Sequence, residues 1–521
     1  MSLTKVSYSM ITGVPVNVLD YGADSTGIAN STSAFTAAIA KCVVTKQSLF
    51  IPAGTYKASI IVPPNSTGLS IVGEDWNTTI IEAVDGTQHG INLQVNSFYV
   101  TISNLSIQNT LAANDGNHCG ILSAGSGTGN GNSGLQIEKV KVSGYNFNIK
   151  LEEFNNTHLN TVWAVNAVVD GAVAKSGSNI YMGHPTLHNV SIYLTNLYIQ
   201  GGGYGIYAET CEGLMLTNSE IGGAANQAFI HQISGTGVTG MIVGNCYFDS
   251  SGRDALYLEG VNNGQFDNIW LSASPTLSTG RGLYLVDCVN NAFTNVQAFN
   301  CKGGGIFLLQ NSTSNLFTSC VVKNCTGYGI AINNTSNYNN SFVNCLVSGS
   351  TIQDIYWQDL TVDIPNYLQS SIATTITVQP KDIVAGGNTN GGKTLSLPYF
   401  KQDIADGFSA GNAFFVPNTD QTIFYSPYNG SLVSISLALN DTRTAGLLNL
   451  RPLINGVADD DLKVVIDGTN PQYVSLNIPV GRVPVTAGQR IGIYYDTDAS
   501  WNTTGAAGTV DASVVLVFQT Q

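Results

Sequence analysis

The sequence predicts a mostly β protein in which a parallel β-helix precedes a smaller β-sandwich. Short β-type segments recur along the middle of the chain, with steps of 22 to 27 residues between matching positions. Glycine contributes 56 of the 521 residues, and charged residues make up only 10%, against about 25% in an average domain. Serine, threonine and asparagine fill the polar positions instead, which is typical of sheets and turns rather than exposed helices.

Each repeat centres on an asparagine or serine that follows a short β-run. The aligned positions are Asn104, Asn160, Asn196, Asn218, Asn245, Asn268, Asn295, Ser319 and Asn344. A second β-run follows each later position, as in GIYAE (205–209), AFIHQ (228–232), ALYLE (255–259), GLYLV (282–286), GIFLL (305–309) and GIAIN (329–333). One short repeat cannot bury its own apolar face, so the units are expected to stack as coils of a solenoid. Matching residues of adjacent coils would then lie about 4.8 Å apart.

The segment STSAFTAAIAKCVVTK (31–46) departs from the β pattern and predicts a helix. Ser31 or Ser33 is a suitable N-cap. One helical face carries the apolar residues Phe35, Ile39, Cys42 and Val43. Such a helix is expected to cover the open end of the solenoid, whose first coil would otherwise leave an unpaired edge.

These patterns divide the chain into five segments. Residues 1–13 form a short N-terminal peptide, 14–60 the cap with its helix, and 61–360 the β-helix that holds any ligand site. Residues 361–395 include a Gly/Asn-rich stretch that reads as a linker. Residues 396–521 alternate β-runs with turns, which is typical of an antiparallel β-sandwich.

Composition excludes several classes of partner. A net charge of −14 argues against nucleic acid, which needs a basic footprint. No run of 18 apolar residues occurs, so no membrane span or insertion is expected. The start lacks the apolar core of a secretion signal. Nine cysteines without a close-spaced pair indicate reduced, buried thiols of a protein made in a cytosol.

Two stretches near the N-terminus carry a family resemblance. VPVNVLDYGADSTGIANSTSAFTAAIA (14–40) and FIPAGTYKAS (50–59) resemble the pectate-lyase-like superfamily, most closely the bacteriophage tailspikes that depolymerise capsular or O-antigen polysaccharide. The family usually carries further acidic residues after DYGA, whereas this chain has Asp24 and then STGIANSTS. With the repeats, the resemblance covers roughly residues 14–360. These motifs belong to the cap, so they are strong evidence for the fold and weak evidence for the chemistry.

The resemblance implies a right-handed β-helix that forms a homotrimer on a phage tail. It implies a virion protein made in the host cytoplasm without a signal peptide, which binds and usually cleaves bacterial capsule or lipopolysaccharide glycan. Residues 1–13 would then attach to the tail or another tail protein, or mark the start of a truncated chain. Residues 396–521 would serve trimerisation or carbohydrate binding.

Glycoside hydrolysis generally uses two carboxylates, about 5 Å apart in retaining enzymes and roughly 6.5–9.5 Å apart in inverting ones. Strand alternation turns the leucines of ALYLE inward, so Glu259 points outward, as does Glu209 two coils earlier. Their expected separation of about 9.6 Å suits inversion. Asp249 and Asp254 are placed on the turn that enters this strand. The candidate catalytic residues are therefore Glu259, Asp254, Glu209 and Asp249.

Candidate substrate-binding residues surround these carboxylates, namely Arg253, Arg281, Tyr207, Tyr257, Tyr284, Gln232 and Trp270. The arginines can hold the carboxylate of an acidic sugar, and the aromatic rings can stack on the apolar faces of sugars. A subunit interface is an alternative explanation of the tyrosine row, because interfaces are rich in aromatic residues, and simple packing is another. His231 has the inward parity of a core histidine, and no metal-ligand spacing occurs, so neither a metal nor a cofactor is expected.

The predicted activity is endo-acting glycoside hydrolysis of a surface polysaccharide. A polysaccharide lyase of the same fold is the alternative enzyme, since it would need a base beside the sugar's α-carbon and a cation such as Arg253 or Arg281 near a uronate. A non-catalytic glycan-binding adhesin is the alternative outside enzymes.

Overall fold

A computed structural model of the chain describes residues 14–111, 117–125, 131–183, 189–232, 237–273, 280–334, 336–358, 366–369, 371–373, 376–377, 383–385, 387–389, 392–405, 424–425, 430–455, 457–478, 482–486, 488–504 and 509–520. The chain divides into two compact units. The first comprises Met1–Asn366 and Thr375–Gln379, and the second comprises Tyr367–Thr374 and Pro380–Gln521.

The first unit is a parallel β-helix whose coils contribute to three sheets. Each coil passes through sheet 1, bends into sheet 2 and then crosses to sheet 3. Strands that run through the bend and belong to both sheets 1 and 2 are Thr101–Gln108, Gln136–Ser143, Phe154–Val165, Ile242–Ser251, Gln265–Ala273 and Ala292–Phe299. Further strands of sheet 1 are Val16–Asn17, Leu49–Ile51, Ser70–Gly73, Asn132–Ser133, Asn189–Thr195, Cys211–Thr217, Leu316–Thr318 and Ser341–Val343. Further strands of sheet 2 are Thr26–Asn30, Gly54–Lys57, Thr79–Glu82, Tyr198–Gln200, Glu220–Gly222, Val321–Lys323 and Leu346–Ser348.

Sheet 3 has 13 strands within the described residues, in chain order from one end to the other. They are Ile60–Val62, Ile91–Leu93, Cys119–Ser123, Phe147–Leu151, Ser178–Met182, Tyr204–Glu209, Phe229–Gln232, Leu256–Glu259, Arg281–Val286, Gly304–Leu309, Tyr328–Ile332, Gln353–Trp357 and Ile376–Thr377. A separate pair of short strands, Val238–Thr239 and Val261–Asn262, lies between neighbouring coils. The unbroken chain order confirms the solenoid that the repeats predict.

The bend between sheets 1 and 2 is made by one residue in the left-handed conformation. Its φ lies between 50° and 56° in successive coils, at Asn104, Lys139, Thr161, Asn196, Asn218, Asn245, Asn268, Asn295, Ser319 and Asn344. Asparagine tolerates this conformation better than most residues, which explains its recurrence. The sequence alignment is wrong by one residue in a single coil, where Thr161 rather than Asn160 makes the bend. Asn160 still accepts a hydrogen bond of 3.0 Å from Asn196.

The predicted N-terminal helix is present as Thr32–Thr45, preceded by Ser31 at the N-cap and by a 3-10 turn at Val18–Tyr21. It lies against the strands Leu49–Ile51 and Ile60–Val62 at the start of the solenoid. Its buried residues are Ala34, Phe35, Ala38, Ile39 and Cys42. The helix therefore covers the first coil, as the pattern predicts.

The interior of the solenoid is built from like residues stacked in successive coils. Phe266, Phe293, Phe317 and Phe342 form a stack with ring centroids 4.6, 4.8 and 4.5 Å apart, close to the strand spacing. A buried amide ladder runs through Asn291, Asn315, Asn340 and Asn366, with bonds of 2.9, 3.0 and 3.1 Å. All nine cysteines are buried, as predicted for packing thiols.

The second unit is an antiparallel β-sandwich. In one layer, Gly430–Leu439 pairs with Tyr473–Asn477, Pro484–Val485 and Thr509–Thr520, and Thr509–Thr520 pairs with Gly392–Ala405. The strands of the other layer are Phe424–Tyr425, Leu448–Ile454, Val457–Ala458, Val464–Ile466 and Arg490–Thr497. Shorter elements of the unit are Tyr367–Gln369, Ile372–Ala373, Ile383–Ala385, Gly387–Thr389, Arg443–Ala445, Asn502–Thr503 and the 3-10 turn Asp460–Leu462. Buried side chains such as Leu437, Leu450, Ile493 and Leu516 form its core.

Candidate active site

An aromatic row runs along the outer face of sheet 3. Tyr207 pairs with Ile230, Ile230 with Tyr257, Tyr257 with Tyr284, and Tyr284 with Phe307. The residues on either side of these, such as Leu256 and Leu258, are fully buried. The apolar alternation of the sequence thus sets the face of every residue, because successive strand side chains point to opposite sides.

Glu209 and Glu259 lie two residues beyond this row on the same face. Glu209 pairs with Gln232 in the following strand of sheet 3, and Glu259 pairs with Val286 in the strand that follows Leu256–Glu259. His231 pairs with Leu258, so Gln232 stands between the two glutamates. A separation of two strands corresponds to about 9.6 Å, at the upper end of the range for inverting glycosidases.

The Glu209 carboxylate is held by two donors. The Tyr181 hydroxyl donates a hydrogen bond of 2.6 Å to it, and Lys175 forms an ion pair with it. Beside it, the Tyr207 hydroxyl donates a hydrogen bond of 2.5 Å to the side-chain oxygen of Gln232. The Glu209 side chain is 15% exposed, so its carboxylate is fixed in position yet still reached by solvent.

Glu259 has a different environment. The Tyr257 hydroxyl donates a hydrogen bond of 3.0 Å to its carboxylate. Burial raises the pKa of Glu259, the nearby charge of Asp287 raises it further, and the Tyr257 hydrogen bond opposes both. A carboxyl group that holds its proton more tightly than usual suits a general acid.

Asp254 and Arg281 form an ion pair at the edge of the same face. The Arg281 Nε donates to Asp254 over 2.7 Å, and its backbone N–H donates over 3.2 Å. Asp254 is buried, and this burial raises the pKa of its carboxyl group while Arg281 opposes the rise. The Arg281 guanidinium also lies 3.4 Å from the ring centroid of Tyr284. The pair therefore anchors one side of the aromatic row.

The row is open to solvent over only part of its length. Tyr207, Ile230 and Phe307 are 5–7% exposed, and Val173 packs against the part of the row around Tyr207. Tyr257 and Tyr284 are partly exposed. A sugar could therefore contact the rings of Tyr257 and Tyr284, which lie next to Glu259.

Three of the predicted site residues lie elsewhere. Asp249, expected on a turn, lies within the strand Ile242–Ser251 and pairs with Gly222 in sheet 2. Trp270 also belongs to sheet 2, where it pairs with Tyr247. Arg253 is an exposed residue of the connection from sheet 2 to sheet 3. The structure thus brings together Glu209, Gln232, Tyr207, Tyr257, Glu259, Arg281 and Tyr284 on sheet 3, with Asp254 just before the strand Leu256–Glu259, and it places Asp249 and Trp270 on sheet 2.

His231 is a core histidine, as its parity predicts. Its side chain is fully buried, with Nε2 accepting a hydrogen bond of 3.3 Å from the Cys211 N–H and Nδ1 lying 3.2 Å from the Glu259 carbonyl oxygen. Burial lowers the pKa of His231 to about 4. A neutral, buried imidazole with both nitrogens engaged serves packing rather than proton transfer.

Sequence reasoning missed Tyr181 and Lys175. Tyr181 pairs with Tyr207, and its segment NIYM repeats the pattern of GIYA one coil later, so the repeat contained the signal. Lys175 lies in an irregular connection that precedes the strand Ser178–Met182, where periodicity carries no information. Within the part of the chain that the structure describes, no group of three His, Cys, Asp or Glu side chains has the geometry of a metal site. In the same residues, no helix has the length and hydropathy that a membrane crossing requires.

Two family models match the chain. The rhamnogalacturonase A/epimerase, pectate lyase-like model matches residues 15–257. The right handed beta helix region model matches residues 180–347. Among curated proteins, none matches the sequence.

Several solved structures match parts of this chain. Tailspike protein 3 of bacteriophage CBA120 is 13% identical, with a TM-score of 0.53 over 80% of this chain and 65% of that one. The A-module of a mannuronan C-5 epimerase from Azotobacter vinelandii is 14% identical, with a TM-score of 0.48 over 72% of this chain and 100% of that one. The Dettilon tailspike is 10% identical, with a TM-score of 0.43 over 97% and 94%.

The likeness to the CBA120 tailspike is one of fold, and the chain spans 65% of that protein's length. The two family models together extend over residues 15–347, where the strands that the structure describes pair in parallel. Over these residues the chain is similar to pectate lyase-like proteins and to right-handed β-helix proteins.

Proposed function

We propose that the chain is a phage tail protein that binds a bacterial surface polysaccharide, capsule or O-antigen, and hydrolyses it within the chain. The observation that carries this proposal is the pair Glu209 and Glu259, two strands apart on the outer face of sheet 3, with Tyr257 and Tyr284 beside Glu259. The fold shared with a phage tailspike supports the assignment to a tail. A homotrimer, as the resemblance implies, is part of the same proposal.

In this mechanism Glu259 is the general acid and Glu209 the general base. Glu259 gives its proton to the glycosidic oxygen as the bond from the anomeric carbon to that oxygen breaks. Glu209 takes a proton from the water that attacks the anomeric carbon from the opposite face. One proton has then moved from Glu259 to Glu209, and exchange with solvent restores both groups. The products are a new reducing end of inverted configuration and a free hydroxyl group.

The remaining residues position the substrate. Tyr257 and Tyr284 offer partly exposed rings beside Glu259, on which apolar sugar faces can stack. Arg281 is 21% exposed and fixed by Asp254, so its free guanidinium edge can bind the carboxylate of an acidic sugar. Asp254 is 4% exposed along its side chain, so it acts here by holding Arg281.

A lyase is the second candidate, because Lys175 and Arg281 place cations on the same face as the glutamates. A uronate substrate would need such a charge when its α-proton is removed. The lyase would leave an unsaturated sugar, whereas hydrolysis leaves only reducing ends.

Product analysis tests the proposal. Purified protein is incubated with capsule from sensitive cells, and the products are followed by proton NMR and by absorbance of unsaturated uronates. New reducing ends whose first-formed anomer is opposite to that of the linkage support inverting hydrolysis. Retained configuration contradicts the assignment of Glu209 as base, unsaturated products assign a lyase, and intact polymer assigns a binding protein.

A further inference from the structure

The outer face of sheet 2 carries a second row of aromatic and polar side chains. Six consecutive coils pair in register through Trp163, Tyr198, Glu220, Tyr247, Trp270 and Gln297. Tyr247 is 58% exposed and Trp163 is 40% exposed. The row extends over five strand spacings, about 24 Å. None of these residues takes part in the groove on sheet 3.

A surface cavity of about 130 Å³ opens in this row. Its lining residues are Asn245, Cys246, Tyr247, Asn268, Ile269, Trp270 and Gln297. Cys246 and Ile269 are buried, so the walls are the two aromatic rings, whose centroids lie 6.1 Å apart, and the amides. The volume is below the roughly 300 Å³ of drug-sized sites, and it suits one sugar ring of a longer chain.

The side-chain amides beside the rings form a ladder of hydrogen bonds and can form further hydrogen bonds. Asn268 donates to Asn245 over 2.7 Å and accepts from Asn295 over 3.1 Å. Gln297 donates to Asn295 over 3.2 Å. A side-chain amide has two N–H hydrogens and two acceptor lone pairs, so these bonds do not use the full capacity of the amides, and Asn245 and Asn268 are exposed. Sugar hydroxyl groups need both donors and acceptors.

This mixture fits a glycan better than another subunit. The row alternates aromatic rings with Glu220 and Gln297, and exposed amides border it along one side. Permanent subunit interfaces are more apolar at their centre and are depleted of charged residues. Aromatic platforms next to amides instead match the two surfaces of a sugar, an apolar ring face and a rim of hydroxyl groups.

We propose that the row from Trp163 to Gln297 is a second polysaccharide-binding surface, centred on the cavity that Tyr247 and Trp270 help to line. Glu220 lies within the row and Lys141 pairs with Trp163 at its end, so the row carries no excess of either charge and takes sugar units through their ring faces and hydroxyl groups. It lies on a different sheet from the groove of Glu209 and Glu259, so it retains the polymer while another stretch is cut. The inference rests on the proposed function only in taking the ligand to be a polysaccharide.

Binding to a panel of purified capsular polysaccharides and O-antigens tests this surface, by affinity electrophoresis of the Glu259→Gln protein. In that background, Trp270→Ala and Tyr247→Ala are each expected to weaken binding about tenfold or more, as for a central aromatic anchor. Tyr99→Ala is the matched control, because Tyr99 is 63% exposed in the same unit and far along the chain from the row. Its affinity is expected to stay that of the Glu259→Gln parent.

Three results would overturn the inference. These are no retardation by any polysaccharide of the panel, unchanged affinity of both Trp270→Ala and Tyr247→Ala, or a loss of oligomeric state in Trp270→Ala by light scattering. The last result would assign the face to a second copy of the chain. Cleavage of the polysaccharide is measured separately from binding. A protein that binds polysaccharide through Trp270 but does not cleave it would contradict the proposed hydrolysis and would still support this binding surface.

Discussion

The Tyr257 hydroxyl donates a hydrogen bond of 3.0 Å to the Glu259 carboxylate. Both side chains leave one strand on the outer face of sheet 3, two residues apart. The bond stabilises the ionised form of Glu259, while burial and Asp287 disfavour it. Tyr257 therefore has two roles in the proposed site, a ring for the sugar and a hydroxyl that tunes the acid.

Tyr257→Phe is expected to move the alkaline limb of the pH profile of kcat/KM to higher pH. Removing the hydrogen bond removes a contact that lowers the pKa of Glu259, so the general acid keeps its proton to higher pH. The ring is retained, which limits the effect on stacking. Tyr284→Phe is the control, and its alkaline limb is expected to coincide with that of the wild type. An alkaline limb that stays in place or moves down in Tyr257→Phe would contradict the role of Glu259 as acid.

Arg281→Met is expected to destabilise the protein by on the order of 3 kcal/mol near neutral pH, because it leaves a buried carboxylate without its partner. Burial raises the pKa of Asp254 above its unfolded value, so the unfolding free energy falls as pH rises through that window. Losing Arg281 raises this pKa further. The stability gap from the wild type is therefore expected to widen between about pH 4 and about pH 7.

Thermal melts at the two pH values measure that gap. Arg253→Met, at the exposed neighbouring arginine, is the control and is expected to change the unfolding free energy by less than about 0.5 kcal/mol. A gap for Arg281→Met that does not depend on pH would show that Asp254 is not its cause.

His231→Gln tests the neutral core histidine. Because burial lowers the pKa of His231 to about 4, the unfolded chain takes up a proton that the folded chain refuses. The wild type is expected to lose about 2 kcal/mol of unfolding free energy from this group between about pH 7.5 and about pH 5. The variant lacks that contribution, so its denaturant midpoint is expected to fall less over the same interval. Equal pH dependence of the two proteins would exclude this account.

Asn218 tests the left-handed bend. Its φ is 52°, and its side-chain oxygen accepts a hydrogen bond of 3.3 Å from Asn245. Asn218→Ala is expected to cost about 1–2 kcal/mol, since alanine is strained in this conformation. Asn218→Gly loses the same hydrogen bond without the strain, so it is expected to be the more stable variant in denaturant unfolding. Equal losses would assign the effect to the hydrogen bond alone.

The coils of this fold can be predicted well from the sequence, because the alternation of apolar residues identifies the buried and the outer face of each strand. Leu256 and Leu258 are buried, and Tyr257 and Glu259 share the opposite face, as alternation requires. The alignment is wrong at one bend position, Asn160, because the bend depends on backbone conformation. In that coil a threonine adopts the conformation instead.

The hydrogen-bond and ion-pair partners of the site residues were harder to predict from the sequence. Lys175 reaches Glu209 from a connection 34 residues earlier, and such a path follows no period. Asp249 and Trp270 flank the strand Leu256–Glu259 in the sequence, but the connection around Arg253 and the turn after Gly260 carry the chain from one sheet to another on either side of that strand. The sheet on which a residue lies depends on the position of the turns in each coil. The amino-acid composition does not determine where those turns occur.

The depolymerisation rate of Glu259→Gln tests the central claim most directly. The amide keeps the size of the side chain but cannot supply a proton, so the rate of reducing-end formation is expected to fall about 100-fold or more, with an unchanged melting temperature. Glu138→Gln, at an exposed glutamate of sheet 1, is expected to cleave at the wild-type rate. A folded Glu259→Gln protein that cleaves as fast as the wild type would contradict the account.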